Sequence, residues 1–269
     1  MNFIDTHTHI YGEEFTADID EVIERAKASG ATQLLLPATD AASAHDALLL
    51  AQRFPGFCYP LAGLHPEEVK ENYAAELEKV RALLFAANSP FVGVGEVGMD
   101  LYWDATFRAE QLTAFRLQAE WAHTLDLPLI THTRSAYPET LEVLEPWQKS
   151  SLKGIFHCFC GTKEEAERVL KFSNFYLGVG GLVTFKKSTL PQILTDVVPL
   201  NRLVLETDAP YMAPVPFRGK RNEPSFIPQV AQKLAEIYHT TPDEVGRITS
   251  ENACKLFPCL RTTYTTDKA

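Results

Sequence analysis

Short apolar runs alternate with longer amphipathic segments along most of the chain. Runs of this kind are typical of strands, and the amphipathic segments are typical of helices. The runs predict eight strands, at Asn2–Thr6, Gln33–Pro37, Phe57–Leu64, Phe91–Glu96, Leu127–Thr131, Lys153–His157, Phe175–Val179 and Arg202–Glu206. The segments between them predict helices that include Asp18–Ser29, Ala41–Arg53, Glu67–Ala87, Thr106–Leu125, Lys163–Lys171 and Leu190–Val197.

Eight strands alternating with helices in 269 residues predict an α/β protein, a (β/α)8 barrel of the TIM type. A doubly wound open sheet is the alternative. No G-x-G-x-x-G follows the first strand, which removes the commonest functional signature of that fold but not the fold itself. Thr241 to Glu244 form a capping box that opens an extra C-terminal helix. No linker or low-complexity run divides the chain, so we expect a single barrel domain over residues 1–269.

Composition excludes several classes of protein. No apolar run approaches the ~18 residues of a membrane span, and the N-terminus lacks a signal-peptide pattern. Five cysteines, an odd number, are not a disulfide framework, so we expect a cytoplasmic protein. A net charge of −10 argues against broad capture of nucleic acid but allows a local phosphate pocket, where a bound cation can dominate. No exposed stripe indicates an obligate partner, so we expect a monomer.

Histidine or carboxylate side chains follow six of the eight predicted strands. In a (β/α)8 barrel the active site gathers at the C-terminal ends of the strands. The strand-end residues are His7 and His9, then His65, then Glu96 and Asp100, then His132 and Arg134, then His157, and finally Glu206 and Asp208. One such histidine could be a core residue, but their joint occurrence predicts a metal centre. Asp5 alternates with His7, so we expect it to orient a histidine.

The predicted ligands outnumber the needs of one tetrahedral ion. They are His7, His9, Glu96, His132, His157 and Asp208. Imidazole and carboxylate ligands suit Zn, Mn, Ni or Fe, and Mg where oxygens dominate. Two ions bridged by Glu96 would use the whole set. Such a pair suits in-line displacement at phosphorus, because one ion activates the attacking water and the other polarises the substrate.

Seven short segments carry a resemblance to a known family: DTHTH, GLHP, GEVGMD, THTR, HCF, ETDAP and RGKRNEP, in this order. Together they resemble the TatD family of metal-dependent deoxyribonucleases, a branch of the amidohydrolase-type barrels. The resemblance runs from Asp5 to about Phe257, where NACKLF is similar to the closing helix of the family. Thr8 stands where the family often has Cys or Ala, and GMD replaces the more usual Gly-Leu-Asp.

The resemblance implies a (β/α)8 barrel that hydrolyses phosphoester bonds with two divalent ions, Zn, Mg or Mn. By position it implies metal ligation by His7, His9, Glu96, His132, His157 and Asp208. Asp208 and Glu96 would be the catalytic residues, with Asp208 as the base that orients the water. His65 and Arg134 would line the pocket and contact substrate phosphate. These roles agree with the metal centre predicted from the strand ends.

Three functions remain open at this point. The first is a deoxyribonuclease that attacks DNA ends or single strands with a metal-activated water. A phosphatase for small phosphomonoesters would use the same metals and Arg134, and a non-catalytic metal-containing binding protein is the alternative from another class. Basic residues at Lys220 and Arg221 could contact phosphate or be solvated loop residues. Tyr102 and Trp103 could stack on bases, pack in the core or anchor a loop.

Overall fold

Eight parallel strands, each followed by at least one helix, make up the computed structural model, which describes residues 1–260. The strands are β1 (Phe3–Asp5), β2 (Ala31–Leu36), β3 (Cys58–Pro60), β4 (Val94–Asp100), β5 (Leu129–Arg134), β6 (Gly154–Phe156), β7 (Phe175–Val179) and β8 (Leu203–Leu205). The helices are α1 (Ile19–Ser29), α2 (Ala41–Arg53), α3 (Tyr73–Leu84), α4 (Arg108–Thr124), α5 (Tyr137–Leu144), α6 (Lys163–Val169), α7 (Leu190–Val197), α8 (Ile227–Ile237) and α9 (Pro242–Leu256).

The strands pair in chain order, β1 to β3 in one sheet and β4 to β8 in a second sheet. Two parallel bridges join the two sheets, one between Ala62 and Val94 and one between Thr8 and Ala209. The backbone N–H of Thr6 also donates to the Leu205 carbonyl at 2.9 Å. A doubly wound sheet would reverse its strand order, whereas this order runs round and returns to β1. The predicted (β/α)8 barrel is therefore confirmed.

Apolar side chains fill the interior of the barrel and are covered at one end by α9. The interior residues are Ile4, Leu35, Leu61, Ile130, Ile155 and Val204, and Ala253, Leu256 and Phe257 of α9 pack against them. The Asn252 amide donates to the carbonyl of Leu203, the first residue of β8, at 2.9 Å. The extra C-terminal helix thus lies at the N-terminal ends of the strands. The opposite ends, where polar residues were predicted, are left for the site.

The structure departs from the predicted elements in the segment after β3. Glu67–Ala87 was predicted as one helix, but only α3 is α-helical there, preceded by one 3-10 turn at Pro66–Glu68. Between them Val69 is extended and buried, because packing its side chain under the loop outweighs the continuous helical pattern. Helices α5 and α8, each with proline in its first turn, are additional to those predicted.

Two strands reach further towards the site than predicted. β4 continues past Glu96 to Asp100, and β5 continues to Arg134, with Asp100 opposite Arg134 in the ladder. The last part of the predicted domain, residues 261–269, lies outside the described residues, so the domain boundary stays a prediction. None of the helices in residues 1–260 combines the length and apolar character needed to span a membrane.

Candidate metal centre

Glu96 is the hub of the strand-end cluster, and its buried carboxylate faces imidazoles from four other strands. One oxygen, Oε2, lies 3.1 Å from His7 Nε2 and 3.4 Å from His9 Nε2. The other, Oε1, lies 2.8 Å from His132 Nδ1, 3.0 Å from His157 Nε2 and 3.5 Å from His65 Nε2. The two oxygens therefore face separate groups of imidazole nitrogens. Every strand-end histidine predicted from the sequence reaches this cluster.

Four donor atoms beside β1 have the spacing of metal ligands. His7 Nε2 and His9 Nε2 lie 3.0 Å apart, and Asp208 Oδ1 is 3.8 Å and 3.6 Å from them. Zn–N and Zn–O bonds of about 2.0–2.1 Å place tetrahedral ligand atoms about 3.3 Å apart. These separations and those to Glu96 Oε2 bracket that value. The residues present thus fit a divalent ion, and a second group of donors surrounds Glu96 Oε1.

The tautomer of His9 is set by a residue that the sequence analysis missed. The Tyr11 hydroxyl donates to the Pro37 carbonyl at 2.7 Å, so it must accept from His9 Nδ1, 2.8 Å away. The proton on Nδ1 leaves the Nε2 lone pair directed at Glu96 and Asp208. The signal for Tyr11 was present, because it continues the alternation of His7 and His9 by one more step.

His65 has the opposite tautomer to His9. Its Nδ1 accepts the backbone N–H of Glu67 at 3.1 Å, so in the neutral ring the proton is on Nε2, which faces Glu96. His65, Glu96 and His132 are close enough to hold an ion. The tautomer nevertheless makes His65 a hydrogen-bond donor into the site rather than a neutral metal ligand.

Two carboxylates lie on the sides of the His132 and His157 rings that face away from Glu96. Asp100 Oδ2 lies 2.9 Å from His132 Nε2, which leaves His132 Nδ1 for the Glu96 side. Glu206 Oε1 lies 3.4 Å from His157 Nδ1 and accepts the backbone N–H of Cys158 at 2.5 Å. The Glu206 carboxylate therefore lies beside His157 and fixes the backbone that directly follows it.

Asp5 does not orient a histidine ring, so that expectation is wrong. Its carboxylate accepts the backbone N–H of His7 at 3.2 Å, the backbone N–H of Thr207 at 3.0 Å and the Thr207 hydroxyl at 2.7 Å. Burial raises the pKa of Asp5 to about 8. Asp5 instead ties the end of β1 to the segment that follows β8.

The electrostatics of the cluster favour a cation. Burial opposes ionisation of Glu96, yet the imidazoles, His157 first and then His7, hold its pKa well below the usual range. Burial also opposes protonation of His157, but the charges of Glu96 and Glu206 raise its pKa well above the usual value. In the metal-free state the carboxylates thus draw protons onto His9, His132 and His157, whereas burial and then the charge of His157 lower the pKa of His7. Metal binding would displace those protons and take over their charge.

Arg134 lies at the edge of the cluster with its donors unused. Its guanidinium carbon is 3.9 Å from the centre of the Tyr102 ring and 5.2 Å from that of Trp103. Within residues 1–260 no carboxylate pairs with it. Tyr102 and Trp103 are 54% and 71% exposed, so they are not core residues. The charge of this guanidinium acts on Asp100, the partner of His132, and no hydrogen-bond acceptor within residues 1–260 binds its N–H groups, so it is suited to an anionic substrate.

Arg221 and Asn222, in the basic loop after β8, have structural roles. Arg221 binds both oxygens of Asp18, at 2.8 and 2.6 Å, so it is not available to a substrate. Asn222 is buried and its amide donates to the carbonyls of Thr207 and Tyr211, at 2.8 and 2.7 Å. These bonds bracket Asp208, whose φ of +58° lies in the left-handed region. The loop therefore holds the Asp208 segment in place.

Comparisons with known proteins agree with this geometry. The family model described as TatD related DNase matches residues 4–258. The chain is 37% identical over 253 residues to an uncharacterized metal-dependent hydrolase, YabD, of Bacillus subtilis, covering 94% of this chain and 98% of that protein. It is 36% identical over 262 residues, with the same coverage, to the 3'-5' ssDNA/RNA exonuclease TatD of Erwinia billingiae. The crystal structure of YJJV, a TatD homolog from Escherichia coli, superposes with a TM-score of 0.88 at 31% identity, covering 95% of this chain and 98% of that one.

Proposed function

The chain belongs to the family of TatD-related DNases, metal-dependent hydrolases, and we propose that it removes nucleotides from the ends of single-stranded DNA or RNA. The observation that carries the proposal is the placement of Glu96 between two groups of imidazoles, with the unpaired Arg134 guanidinium beside them. Relatives that cover almost the whole chain are named as exonucleases on these substrates. A non-catalytic binding protein is disfavoured, because Glu96 and Asp208 are both present and both reach the cluster.

The donor set divides into ligands and supporting residues. We propose that His7, His9, Glu96, His132, His157 and Asp208 would hold two divalent ions, Zn, Mg or Mn. Such ions lower the pKa of water and polarise a phosphoryl oxygen. Asp100 and Tyr11 keep His132 and His9 in the tautomers that ligation requires, and Glu206 places a negative charge beside His157.

The chain's own residues supply the proton transfer and the substrate contacts. Asp208 is the general base: burial opposes its ionisation, but His9 and other imidazoles keep its pKa below the usual value, so it is ionised and accepts the proton of the attacking water. Arg134 and the Nε2–H of His65 donate to the phosphate oxygens. A bidentate guanidinium contact fixes the phosphate in one orientation, which is where positioning contributes to the rate.

A basic rim, formed by Lys186, Lys187, Arg218 and Lys220, favours a polynucleotide over a small phosphomonoester. These side chains are exposed on the loops after β7 and β8, and no carboxylate pairs with them within residues 1–260. The Arg218 guanidinium lies 4.2 Å from the Phe185 ring centre, and Val215 N–H donates to the Thr184 hydroxyl, so the two loops are joined. A positive rim on a chain of net charge −10 suits a phosphate backbone that extends beyond the metal centre.

The test compares nucleic acid with monoesters as substrates. Chelated protein is given Mg²⁺, Mn²⁺ or Zn²⁺ and assayed on end-labelled single-stranded DNA and RNA of one sequence and on a panel of phosphomonoesters. We expect metal-dependent stepwise shortening, reduced about 10²- to 10⁴-fold by Asp208→Asn. Asp46→Asn, on the exposed face of α2, is the matched control.

Turnover of monoesters alone would establish the phosphatase instead. If the wild type and Asp208→Asn were equally inert on every substrate and with every ion, the catalytic proposal would fail. Equal cleavage by both proteins would remove Asp208 from its role as base.

We also propose that the protein acts as a monomeric single domain over residues 1–269 in the cytoplasm. Cys58, Cys158 and Cys160 carry free thiols, which suits a reducing compartment. The exposed large apolar side chains are divided between the loops after β4 and β8, with Tyr102, Trp103, Tyr211 and Val215, and three outer helical elements, with Leu49, Phe85 and Leu117. Light scattering at micromolar concentration would test the monomer.

A further inference from the structure

A cavity of about 390 Å³ opens next to the metal centre, between the loop after β3 and the loop after β4. The β3 loop contributes Glu67, Glu68 and Lys70, and the β4 side contributes Asp100, Trp103 and Phe107. Asp100 belongs to both places, because its Oδ2 also lies 2.9 Å from His132 Nε2. The cavity therefore adjoins the ligands, yet no step of the reaction described above uses it.

The chemistry of the lining selects against phosphate and for a planar polar ring. Two aromatic side chains, Trp103 and Phe107, offer faces for stacking, and Trp103 is 71% exposed. Carboxylates at Glu67, Glu68, Asp100 and Asp104 outnumber the single ammonium of Lys70. Negative charge of this density repels a phosphate group, whereas carboxylate oxygens accept hydrogen bonds from amino groups on a ring. The volume is at the small end of ligand pockets, which span about 300–1,000 Å³.

Arg134 connects the cavity to the reaction. Its guanidinium contacts the ring of Trp103, with 5.2 Å between the guanidinium carbon and the ring centre, and the same guanidinium is proposed to bind phosphate. A ring stacked on Trp103 and a phosphate bound by Arg134 would thus be neighbours, as they are within one nucleotide.

We propose that this cavity is a base-binding subsite, which takes the nucleobase of a nucleotide next to the scissile phosphate and stacks it on Trp103. The inference rests on the proposed nucleic-acid substrate and adds where the base is held. The carboxylates further imply a preference for bases with an exocyclic amino group (adenine, cytosine and guanine) over thymine or uracil.

The test measures binding rather than turnover, so that it is independent of catalysis. Fluorescein-labelled hexanucleotides are titrated with chelated protein and followed by anisotropy. In one series a single abasic nucleotide is moved through the hexamer position by position. Stacking on an aromatic side chain contributes about 1–3 kcal/mol, so at one position the wild type should lose about 5- to 150-fold in affinity when the base is removed.

Trp103→Ala should bind the intact hexamer that much more weakly and should show no further loss at the abasic position. Trp103→Phe, which keeps a ring, should retain most of the affinity. The matched control is Trp147→Phe, a half-buried tryptophan after α5 that is remote from the cavity. Exchanging thymine for adenine at the sensitive position should strengthen binding in the wild type only.

An abasic penalty of the same size in the wild type and in Trp103→Ala would overturn the subsite, and so would the absence of any penalty. Neither result touches the proposed function, which depends on the hydrolysis of intact strands and on Asp208. Conversely, base-dependent binding through Trp103 by a protein that hydrolyses no nucleic acid would keep the subsite and reject the nuclease.

Discussion

Replacing Asn222 by alanine should test whether the loop after β8 holds Asp208 in position. The Asn222 side chain donates to the carbonyls of Thr207 and Tyr211, at 2.8 and 2.7 Å, and its Oδ1 accepts the backbone N–H of Glu223 at 2.9 Å. Its exposed fraction is 0%, so water cannot replace these bonds without rearrangement. The alanine variant leaves two carbonyls and one N–H without a partner.

The magnitude follows from counting these groups. A buried hydrogen bond contributes about 1 kcal/mol net, so three lost bonds lower the free energy of unfolding by about 3 kcal/mol. In a protein of this size 1 kcal/mol corresponds to about 2–4 °C, which gives a fall in Tm of roughly 6–12 °C. Displacement of Asp208 by a fraction of an ångström should also reduce kcat about tenfold or more.

The assay is calorimetry of the chelated protein, with kcat and KM then measured at a temperature well below both Tm values. Asn174→Ala is the control, because the exposed Asn174 amide makes only a 3.4 Å contact to the Ser150 carbonyl. We expect this control to stay within about 0.5 kcal/mol of the wild type. A Tm for Asn222→Ala as close to the wild type as the control would refute the energetic reasoning. A lower Tm with unchanged kcat would refute the positioning of Asp208.

Two further predictions concern charge. Titrating chelated wild-type protein with Mn²⁺ or Zn²⁺ should raise its Tm by roughly 5–10 °C when the ion is at a hundredfold excess over Kd. The Glu96→Gln variant should show less than half of that shift. Equal shifts in the two proteins would remove Glu96 from the ligand set. Burial raises the pKa of Glu223, but the hydrogen bonds to Arg25 lower it by a larger amount, so the pKa lies below its usual value. The Glu223–Arg25 ion pair therefore stabilises the fold at neutral pH, and this stabilisation is lost as the pH falls through the folded-state pKa. Glu223→Gln should therefore cost about 1–2 kcal/mol in urea unfolding at pH 7, and a cost that did not shrink at pH 3 would contradict this assignment.

The sequence was sufficient for the barrel and for the convergence of the site. Barrel strands are buried on both faces, so they stand out as short apolar runs whatever their exact register. The topology then brings all strand ends to one place, and no knowledge of long-range contacts is needed to group His7, Glu96, His157 and Asp208.

What the sequence could not supply is the pairing between distant side chains. Arg221 had the features of a phosphate contact, but its partner Asp18 is 203 positions away and belongs to the segment before α1. The same limit applies to His65, whose role depends on which ring nitrogen carries the proton. That assignment depends on a backbone N–H of the following turn, a detail that residue type and spacing do not determine.

The largest error in the predicted elements falls on a wall of the base-binding subsite. Residues 67–87 read as one amphipathic helix, and a helix begun at Glu67 would have carried Glu67, Glu68 and Lys70 on regular turns. The chain instead buries Val69 and breaks the helix, which leaves Glu67 and Glu68 on a 3-10 turn and Lys70 on the loop after it, in the same cavity wall as Trp103. A segment that gives up helical bonds where its pattern favours them must gain something elsewhere. Here the gain is the burial of Val69 in the hydrophobic core, and the cavity next to the ligands is a consequence of where the helix is interrupted.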